Sequence, residues 1–268
     1  MIKMIKCVFL FMFMMSGSVA LSQEKVARFA LVIGNKNYQL APLKNSINDA
    51  EAIAKNLSKL NFDVSLIKDV TNHDLEQSII RFYQNISNRK EKKAIAVLYY
   101  AGHAIQINHR NYLVPLDVKF GDSDKFMSSL YDLNDIFEKI PVSFGLQNVF
   151  ILDAWRDNPF VGAQDADSDV IISDGLAPLR APPGTMIAYA TEPGSVASDG
   201  DGKNGIYTKY LLKYIAEMIT IEEVLKKVRS DVAHETNNQQ IPWEHSSLLE
   251  DVFINPPKNK KIPSLITF

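Results

Sequence analysis

Apolar and polar residues alternate along the chain in two different rhythms. Short runs rich in β-branched and aromatic residues are apolar throughout, which is typical of strands covered on both faces. Between them lie amphipathic stretches whose apolar residues are three and four positions apart, the spacing of one helical face. This alternation predicts an α/β domain with a largely parallel central sheet. The predicted strands are residues 28–34, 62–67, 94–100, 148–152 and 186–191.

Residue types at the start of the amphipathic stretches predict where helices begin. Ser46 with Asp49 three positions later resembles a capping box, and Thr71 or Asn72 can cap the following helix. Further helices are predicted at residues 131–140, 207–218 and 221–234.

Two connections can also be predicted from composition. Residues 105–114 are expected to form a hairpin that turns through residues 108–111. The stretch 162–183 is rich in Asp, Gly and Pro, which is typical of a surface loop, here between two halves of one sheet.

Residues 1–20 have the features of a signal peptide. Lys3 and Lys6 precede an apolar run at residues 8–15, and Ser18 with Ala20 satisfies the small-x-small rule for a cleavage site. The run is too short to span a bilayer, although a short anchor that is kept is the other interpretation. Cleavage after Ala20 predicts an exported protein, periplasmic or secreted, with no stable membrane span.

Composition narrows the classes of function. The chain has 268 residues, 46% of them hydrophobic, which is enough for a domain with its own core. Its 29 basic and 31 acidic side chains give a net charge of −2, so a nucleic-acid ligand is not expected. The single cysteine, Cys7, lies in the predicted signal peptide, so the mature chain would contain no thiol.

No metal or cofactor is expected from the motifs. Asp165, Asp167 and Asp169 resemble the opening of a calcium loop, but Val170 stands where the sharp turn needs glycine. The histidines show no zinc spacing, and no phosphate-binding loop of the G-x-x-x-x-G-K type is present.

Two polar segments follow neighbouring predicted strands. His103 comes just after the third strand, and residues 152–160 begin at the end of the fourth. Function in open α/β sheets concentrates beyond the carboxyl ends of the strands, so a histidine and a reactive residue at these two ends would form a dyad. A structural, hydrogen-bonded role for His103 is the alternative.

The second segment reads Leu-Asp-Ala-Trp-Arg-Asp-Asn-Pro-Phe and resembles the caspase-like cysteine peptidases, especially the bacterial caspase homologues related to metacaspases. The similarity extends over residues 28–253, and it implies a caspase-like α/β/α sandwich with a mostly parallel central sheet. We therefore assign residues 28–254 to one caspase-like domain and residues 255–268 to a flexible tail. Further matching segments are ALVIGN at 30–35, YLVPLD at 112–117 and IPWE at 241–244.

The resemblance implies a role for each matching residue. His103 corresponds to the general base of the family, and the backbone N–H groups of Ala104 and residue 155 correspond to the oxyanion donors. Asp153 corresponds to an acidic residue of the pocket for a basic substrate side chain, with Asp199 as its companion. Asp153 could instead cap the turn after its strand.

The sequence departs from the family pattern at two positions. Trp155 stands where the family has its nucleophilic cysteine, and an indole N–H has no lone pair with which to attack a carbonyl. Ala104 replaces the usual glycine after the histidine, which removes access to positive φ. Trp155 could simply close an unused cleft by packing, or it could stack on a ligand. The serines in loops that could be considered as substitutes, none of them in a nucleophile-elbow context, are Ser143, Ser173, Ser195 and Ser198.

Three functional hypotheses follow from the sequence. The first is a catalytically inactive pseudopeptidase that binds a peptide or protein with basic residues through the inherited cleft. The second is a cysteine endopeptidase that cleaves after Arg or Lys and whose nucleophile is altered in this sequence. The third is an exported α/β domain that binds a small ligand. The oligomeric state is left open by all three.

Overall fold

The structure, a computed structural model, describes residues 25–120, 122–141, 143–154, 172–173, 176–177, 179–192 and 202–257. Its ten strands and six helices in this part of the chain follow in the order β1 (Val26–Gly34), α1 (Ser46–Lys59), β2 (Asp63–Lys68), α2 (Asn72–Ser87), β3 (Lys93–Ala101), β4 (Ala104–Ile107), β5 (Arg110–Leu113), α3 (Ser123–Ser129), β6 (Tyr131–Asp132), α4 (Leu133–Glu138), β7 (Leu146–Asp153), β8 (Ile172–Ser173), β9 (Thr185–Tyr189), α5 (Ile206–Tyr214), α6 (Ile221–Glu235) and β10 (Trp243–Ser246).

The main sheet has six strands in the order β10-β9-β7-β3-β1-β2. All neighbouring pairs are parallel except β9 with β10, which are antiparallel. The chain steps outward from β1 to β2 and then back past β1 to β3. Because β-α-β crossovers are right-handed, this reversal places α1 and α2 on opposite faces of the sheet. The predicted α/β/α sandwich with a mostly parallel sheet is confirmed.

The five predicted strands are confirmed as β1, β2, β3, β7 and β9, with ends that differ by one or two residues. Strands β3 and β7 are buried along almost their whole length, as their continuous apolar sequences predict. The sixth strand, β10, was not predicted, because its Trp-Glu-His-Ser sequence has no apolar alternation and it lies at the edge of the sheet.

Helix α2 begins as predicted. The Thr71 hydroxyl accepts a hydrogen bond from the backbone N–H of Asp74, and the Asp74 carboxylate accepts one from the N–H of Thr71. The capping box predicted for α1 is wrong. The hydroxyl of Ser46 donates to the carbonyl of Asn35 at 2.7 Å, while Asp49 points toward another helix.

A second, four-stranded sheet has the order β6-β5-β4-β8. The predicted hairpin is present, but its turn is shorter than expected. Only Asn108 and His109 form it, both with positive φ, and residues 110 and 111 already belong to β5. The helix predicted from residue 131 begins at Leu133 instead, because Tyr131 pairs with Leu113 in the small sheet.

The predicted loop at residues 162–183 is partly integrated into the fold. Strand β8 pairs with β4, and the side-chain amide of Asn111 makes two hydrogen bonds of 2.7 Å with the backbone of Ala177. Leu176 and Leu179 are buried in the main core, so this part of the stretch is not a surface loop.

The amino end of β1 and the end of the described chain lie together. The Arg28 guanidinium donates to the carbonyl oxygens of Phe253 and Ile254. Asn255, the first residue of the predicted tail, donates to the carbonyl of Ala216 at 2.6 Å. Among the described helices, none is long and apolar enough to cross a membrane. The predicted signal peptide and residues 258–268 lie outside the described part of the chain.

Candidate active site

Three strand ends meet at one edge of the main sheet. In the register of the parallel pairs, Gly34 of β1 lies beside Ala101 of β3, which lies beside Asp153 of β7. The strand order reverses between β1 and β3, and such switch points open a crevice outside the carboxyl ends of the strands. The loop after β1 and His103 after β3 therefore face the same crevice.

The side chain of His103 is buried, with 3% of its surface exposed. Its Nε2 lies 2.8 Å from the carbonyl oxygen of Ala41, in the loop after β1. Since a carbonyl only accepts hydrogen bonds, Nε2 is the protonated nitrogen of the neutral ring and the basic lone pair is on Nδ1. The ring also packs against that of Tyr38, with centroids 4.5 Å apart.

Two buried tyrosine hydroxyls hold the backbone of His103. The N–H of His103 donates to the Tyr38 hydroxyl at 2.9 Å, and the Tyr100 hydroxyl donates to the His103 carbonyl at 2.9 Å. Both hydroxyls are also 3.1 Å from the carbonyl of Val114, and they are 3.3 Å from each other. Burial raises the pKa of Tyr38 to about 12 and that of Tyr100 well above its usual range, so both remain protonated.

Gly102 is required by this arrangement. A Cβ at this position would stand 2.7 Å from the hydroxyl oxygens of both Tyr38 and Tyr100. Any larger residue would have to displace the hydroxyls that bind the backbone of His103.

Ala104 lies in the first position of β4 and pairs with Leu113. It is not among the described residues with positive φ, so its backbone conformation suits alanine as well as glycine. The methyl group of Ala104 therefore causes no backbone strain, contrary to what the loss of glycine suggested.

Asp153 is linked to helix α5 and to β3. Its Oδ2 accepts hydrogen bonds from the Thr208 hydroxyl at 2.6 Å and from the Tyr99 hydroxyl at 3.3 Å. Thr208 is in the first turn of α5, so the carboxylate lies near the positive end of that helix. The two interpretations of Asp153, pocket lining and structural bonding, are thus compatible, because the side chain remains only half-buried.

A second carboxylate lies beside Asp153. Asp49 of α1 is buried and accepts hydrogen bonds from the backbone N–H of Gly205 at 3.1 Å and from the Asn204 amide at 2.8 Å. Carboxylate oxygens of both aspartates lie within 3.8 Å of the point where a Cβ on Gly205 would stand. Burial, followed by the negative charges of Asp153 and Asp49, raises the pKa of Tyr99. The site therefore brings two carboxyl groups close together, one buried on α1 and one half-buried at the end of β7.

Sequence reasoning missed the part played by Asp49, Tyr38 and Tyr100. A signal for Asp49 was present: it lies on the inward face of α1, next to the buried residues Ala50 and Ile53. A buried carboxylate on such a face needs hydrogen-bond partners from elsewhere in the fold. The capping-box interpretation assumed an exposed side chain and did not look for them. Tyr38 lies in a loop with no periodicity, so nothing in its local sequence distinguished it.

Several predicted site residues lie outside the described part of the chain: Trp155, Asp199, Ser195, Ser198 and the aspartates of the calcium-like run. Ser143 precedes β7, at the opposite sheet edge from His103, and accepts from Arg89. Ser173 is in β8, paired with Gln106. No cluster of potential metal ligands occurs among the residues that the structure describes.

Comparison with known proteins gives consistent matches. The profile of the family described as Caspase domain matches residues 27–254. The chain is 27% identical over 243 residues to the human mucosa-associated lymphoid tissue lymphoma translocation protein 1, and 26% identical to the mouse homologue of that protein. Each match covers 88% of this chain but 27% of the relative, so the chain spans about a quarter of the length of these relatives.

A similar solved structure is the crystal structure of caspase-1 from the insect Spodoptera frugiperda. It superposes with a TM-score of 0.62 and 15% sequence identity, covering 90% of this chain and 94% of the insect chain. At this identity the likeness concerns the fold.

Proposed function

This chain belongs to the caspase-domain family, and from that premise we propose that it is a non-catalytic member that binds a peptide or protein with basic residues at the carboxyl edge of its sheet. The observation that carries the proposal is Trp155, which the resemblance of residues 152–160 to the family motif aligns with the nucleophilic cysteine. Hydrolysis through a thioester requires a thiolate, and an indole offers neither a usable lone pair nor an ionisable proton.

The contacts of His103 support a loss of catalysis that is caused by the missing nucleophile alone. Its ring is oriented by the carbonyl of Ala41, and its backbone is bound by the hydroxyls of Tyr38 and Tyr100. This arrangement leaves the basic lone pair on Nδ1, as proton transfer would need.

The choice of a basic ligand rests on Asp49 and Asp153. Two carboxylates near one another at a partly dry site attract a guanidinium or ammonium group more strongly than they would in water. Asn204 and Gly205 donate hydrogen bonds to Asp49, and Thr208 donates one to Asp153, so both carboxyl groups are held in place at the site. A small uncharged ligand would gain little from this pair.

Turnover assays test the loss of catalysis. The unaltered chain, incubated with fluorogenic peptides that end in Arg or Lys, is expected to give no product. Trp155→Cys should give measurable cleavage, and Trp155→Cys combined with His103→Ala should not. Trp155→Ser is the matched control for opening the site without a thiol, and it should remain inactive. Cleavage by the unaltered chain that disappears with His103→Ala would contradict the proposal and favour an active peptidase.

Binding assays test the ligand class separately. Peptides with Arg at one position should bind the unaltered chain, and replacing that Arg by citrulline, which is nearly isosteric but neutral, should weaken binding at least about tenfold. Asp153→Asn should remove this preference. Equal affinity for the Arg and citrulline peptides would exclude the basic-ligand proposal even if turnover is absent. From the predicted leader at residues 1–20 we further propose that this binding occurs outside the cytoplasm, and cell fractionation of the full chain would check that.

A further inference from the structure

Large apolar residues are exposed at the amino ends of the parallel strands, the end of the sheet opposite His103. Phe144, in the turn before β7, is 98% exposed, and Leu249 is 65% exposed. The turn is held open by Gly145, whose φ of +84° suits only glycine well, since a Cβ there would also lie 2.8 Å from the carbonyl of Lys92. The backbone conformation of this turn therefore keeps the Phe144 ring in solvent.

Basic residues surround Phe144. The end of the connection from α2 and the first residue of β3 together read Arg89-Lys90-Glu91-Lys92-Lys93. We call the surface formed by Lys25, Arg89, Lys90, Lys92, Phe144 and Leu249 the basic end face. An open cavity of about 530 Å³ runs through it, and its lining includes Arg89, Lys92 and Phe144 together with the acidic residues Glu91 and Glu250.

The charge on this face is only partly neutralised. Lys25 pairs with Glu91 at 3.3 Å, and Lys93 pairs with Glu250 at 2.6 Å. Among the described residues, no carboxylate forms an ion pair with the side chains of Arg89, Lys90 or Lys92, whereas the whole chain carries a net charge of −2. The face is therefore positive on a slightly acidic protein.

Arg89 fixes the basic segment against the turn of Phe144. Its guanidinium donates to the Ser143 hydroxyl at 2.7 Å and to the carbonyl of Ile86 at 2.8 Å. The aromatic ring and the cationic groups are thus held on one side of the domain. An exposed aromatic ring bordered by lysines matches the polarity profile of a lipid interface, where phosphates lie above the acyl chains.

The path of the chain also relates this face to a membrane. Strand β1 begins at this edge, with Val26 beside Lys93. The apolar run at residues 8–15 is separated from Val26 by ten residues, which can reach at most about 36 Å. On the other interpretation of residues 1–20, in which this run is kept as a short anchor, the bilayer that holds it is therefore within reach of the basic end face.

We propose that the basic end face binds the surface of an anionic lipid bilayer, with Arg89, Lys90 and Lys92 at the phosphates and Phe144 at the level of the acyl-chain boundary. The contact orients the domain with its catalytic-type edge, at the other end of the strands, away from the membrane. The proposal is independent of what the cleft binds.

Vesicle sedimentation with the full chain tests this proposal. Binding to vesicles of equal parts phosphatidylglycerol and phosphatidylcholine should exceed binding to pure phosphatidylcholine and should weaken with salt. Lys90→Glu with Lys92→Glu should lower the affinity for anionic vesicles at least about tenfold. Phe144→Ser should lower it as well. The apolar run is the same in all variants, so its contribution to binding cancels.

The matched control is Lys44→Glu with Lys119→Glu, two exposed lysines at the opposite end of the sheet, which changes the net charge by the same amount. It should bind anionic vesicles nearly as the unaltered chain does. Equal losses in the two double variants would show that net charge alone acts and would overturn the proposal. A dimer that dissociates with Phe144→Ser, without any preference for anionic vesicles, would assign the face to a second copy and would also overturn it.

Discussion

The carbonyl oxygen of Ala41 accepts the Nε2–H of His103 at 2.8 Å, and Ala41 itself has a φ of +50°. Left-handed backbone costs an alanine about 1 kcal/mol, and Ala41 also precedes a proline, which disfavours helical backbone angles. Such strain persists only where surrounding contacts hold it in place. The hydrogen bond to His103 is one of those contacts, and it sets which ring nitrogen carries the proton.

The first prediction concerns the tautomer of His103. In the neutral ring the proton should be on Nε2, because Nε2 faces the Ala41 carbonyl. His245 offers a control within the same chain, since its Nδ1 lies 2.7 Å from the carbonyl of Leu179 and should carry the proton. Long-range proton–nitrogen NMR correlations distinguish the two forms. Finding His103 protonated at Nδ1 would contradict the orientation described here.

The second prediction separates the two tyrosines that bind the backbone of His103. Tyr38→Phe removes the acceptor of the buried His103 N–H and should lower the free energy of unfolding by about 2 kcal/mol. Tyr100→Phe should cost less, about 1 kcal/mol, because the His103 carbonyl keeps the N–H of Val114 as a donor at 3.0 Å. Urea denaturation measures both. Equal losses would mean that the hydroxyls matter for packing and not for the individual hydrogen bonds.

The sequence predicted the central sheet well because β3 and β7 are buried on both faces, and their residues reflect that single environment. It also named Thr71 as one of two possible caps of α2, and the structure shows Thr71 in that role, with its partner Asp74 only three residues away. The failures involve distant partners. Ser46 binds Asn35 and Asp49 binds Gly205, and neither contact can be read from local spacing.

In the candidate site, too, local features could be predicted and contacts between distant residues could not. The position of His103 followed from its place at a strand end, and the family resemblance identified it. The tyrosines that hold it are separated from each other by 62 residues and meet only in the folded crevice. Asp49 was assigned to its own helix because capping rules consider only neighbours in sequence. Its hydrogen bond is instead to Gly205, 156 residues away, at the start of α5.

The third prediction tests that bond between helices. Asp49→Asn removes the negative charge from the amino end of α5 and weakens the bond to the Gly205 N–H, so the free energy of unfolding should fall by about 2 kcal/mol. Asn48→Ala is the control, since it removes a bond from the neighbouring residue to the Lys203 carbonyl at an exposed position. That loss should stay below about 0.5 kcal/mol. Similar losses would exclude a special role for the buried carboxylate.

The fourth prediction concerns Glu222, in the first turn of α6. Burial, followed by the negative charge of Asp251, raises the pKa of its carboxyl group. Its Oε2 is buried and has no hydrogen-bond partner in the described structure. The ionised side chain therefore destabilises the fold at neutral pH, and Glu222→Gln should raise the free energy of unfolding there by about 1 kcal/mol.

The effect of Glu222→Gln on the free energy of unfolding should depend on pH. An acid whose pKa is higher in the folded state than in the unfolded state binds a proton on folding, so its favourable contribution is present at low pH and is lost as the pH rises through the folded-state value. The advantage of Glu222→Gln should thus vanish below about pH 4, where the carboxyl is protonated in both states. The adjacent Glu223 is the control, because its carboxylate accepts from the Thr220 N–H at 3.0 Å and its charge favours the helix. Glu223→Gln should therefore be neutral or slightly destabilising at pH 7, and a gain equal to that of Glu222→Gln would show that burial is not the cause.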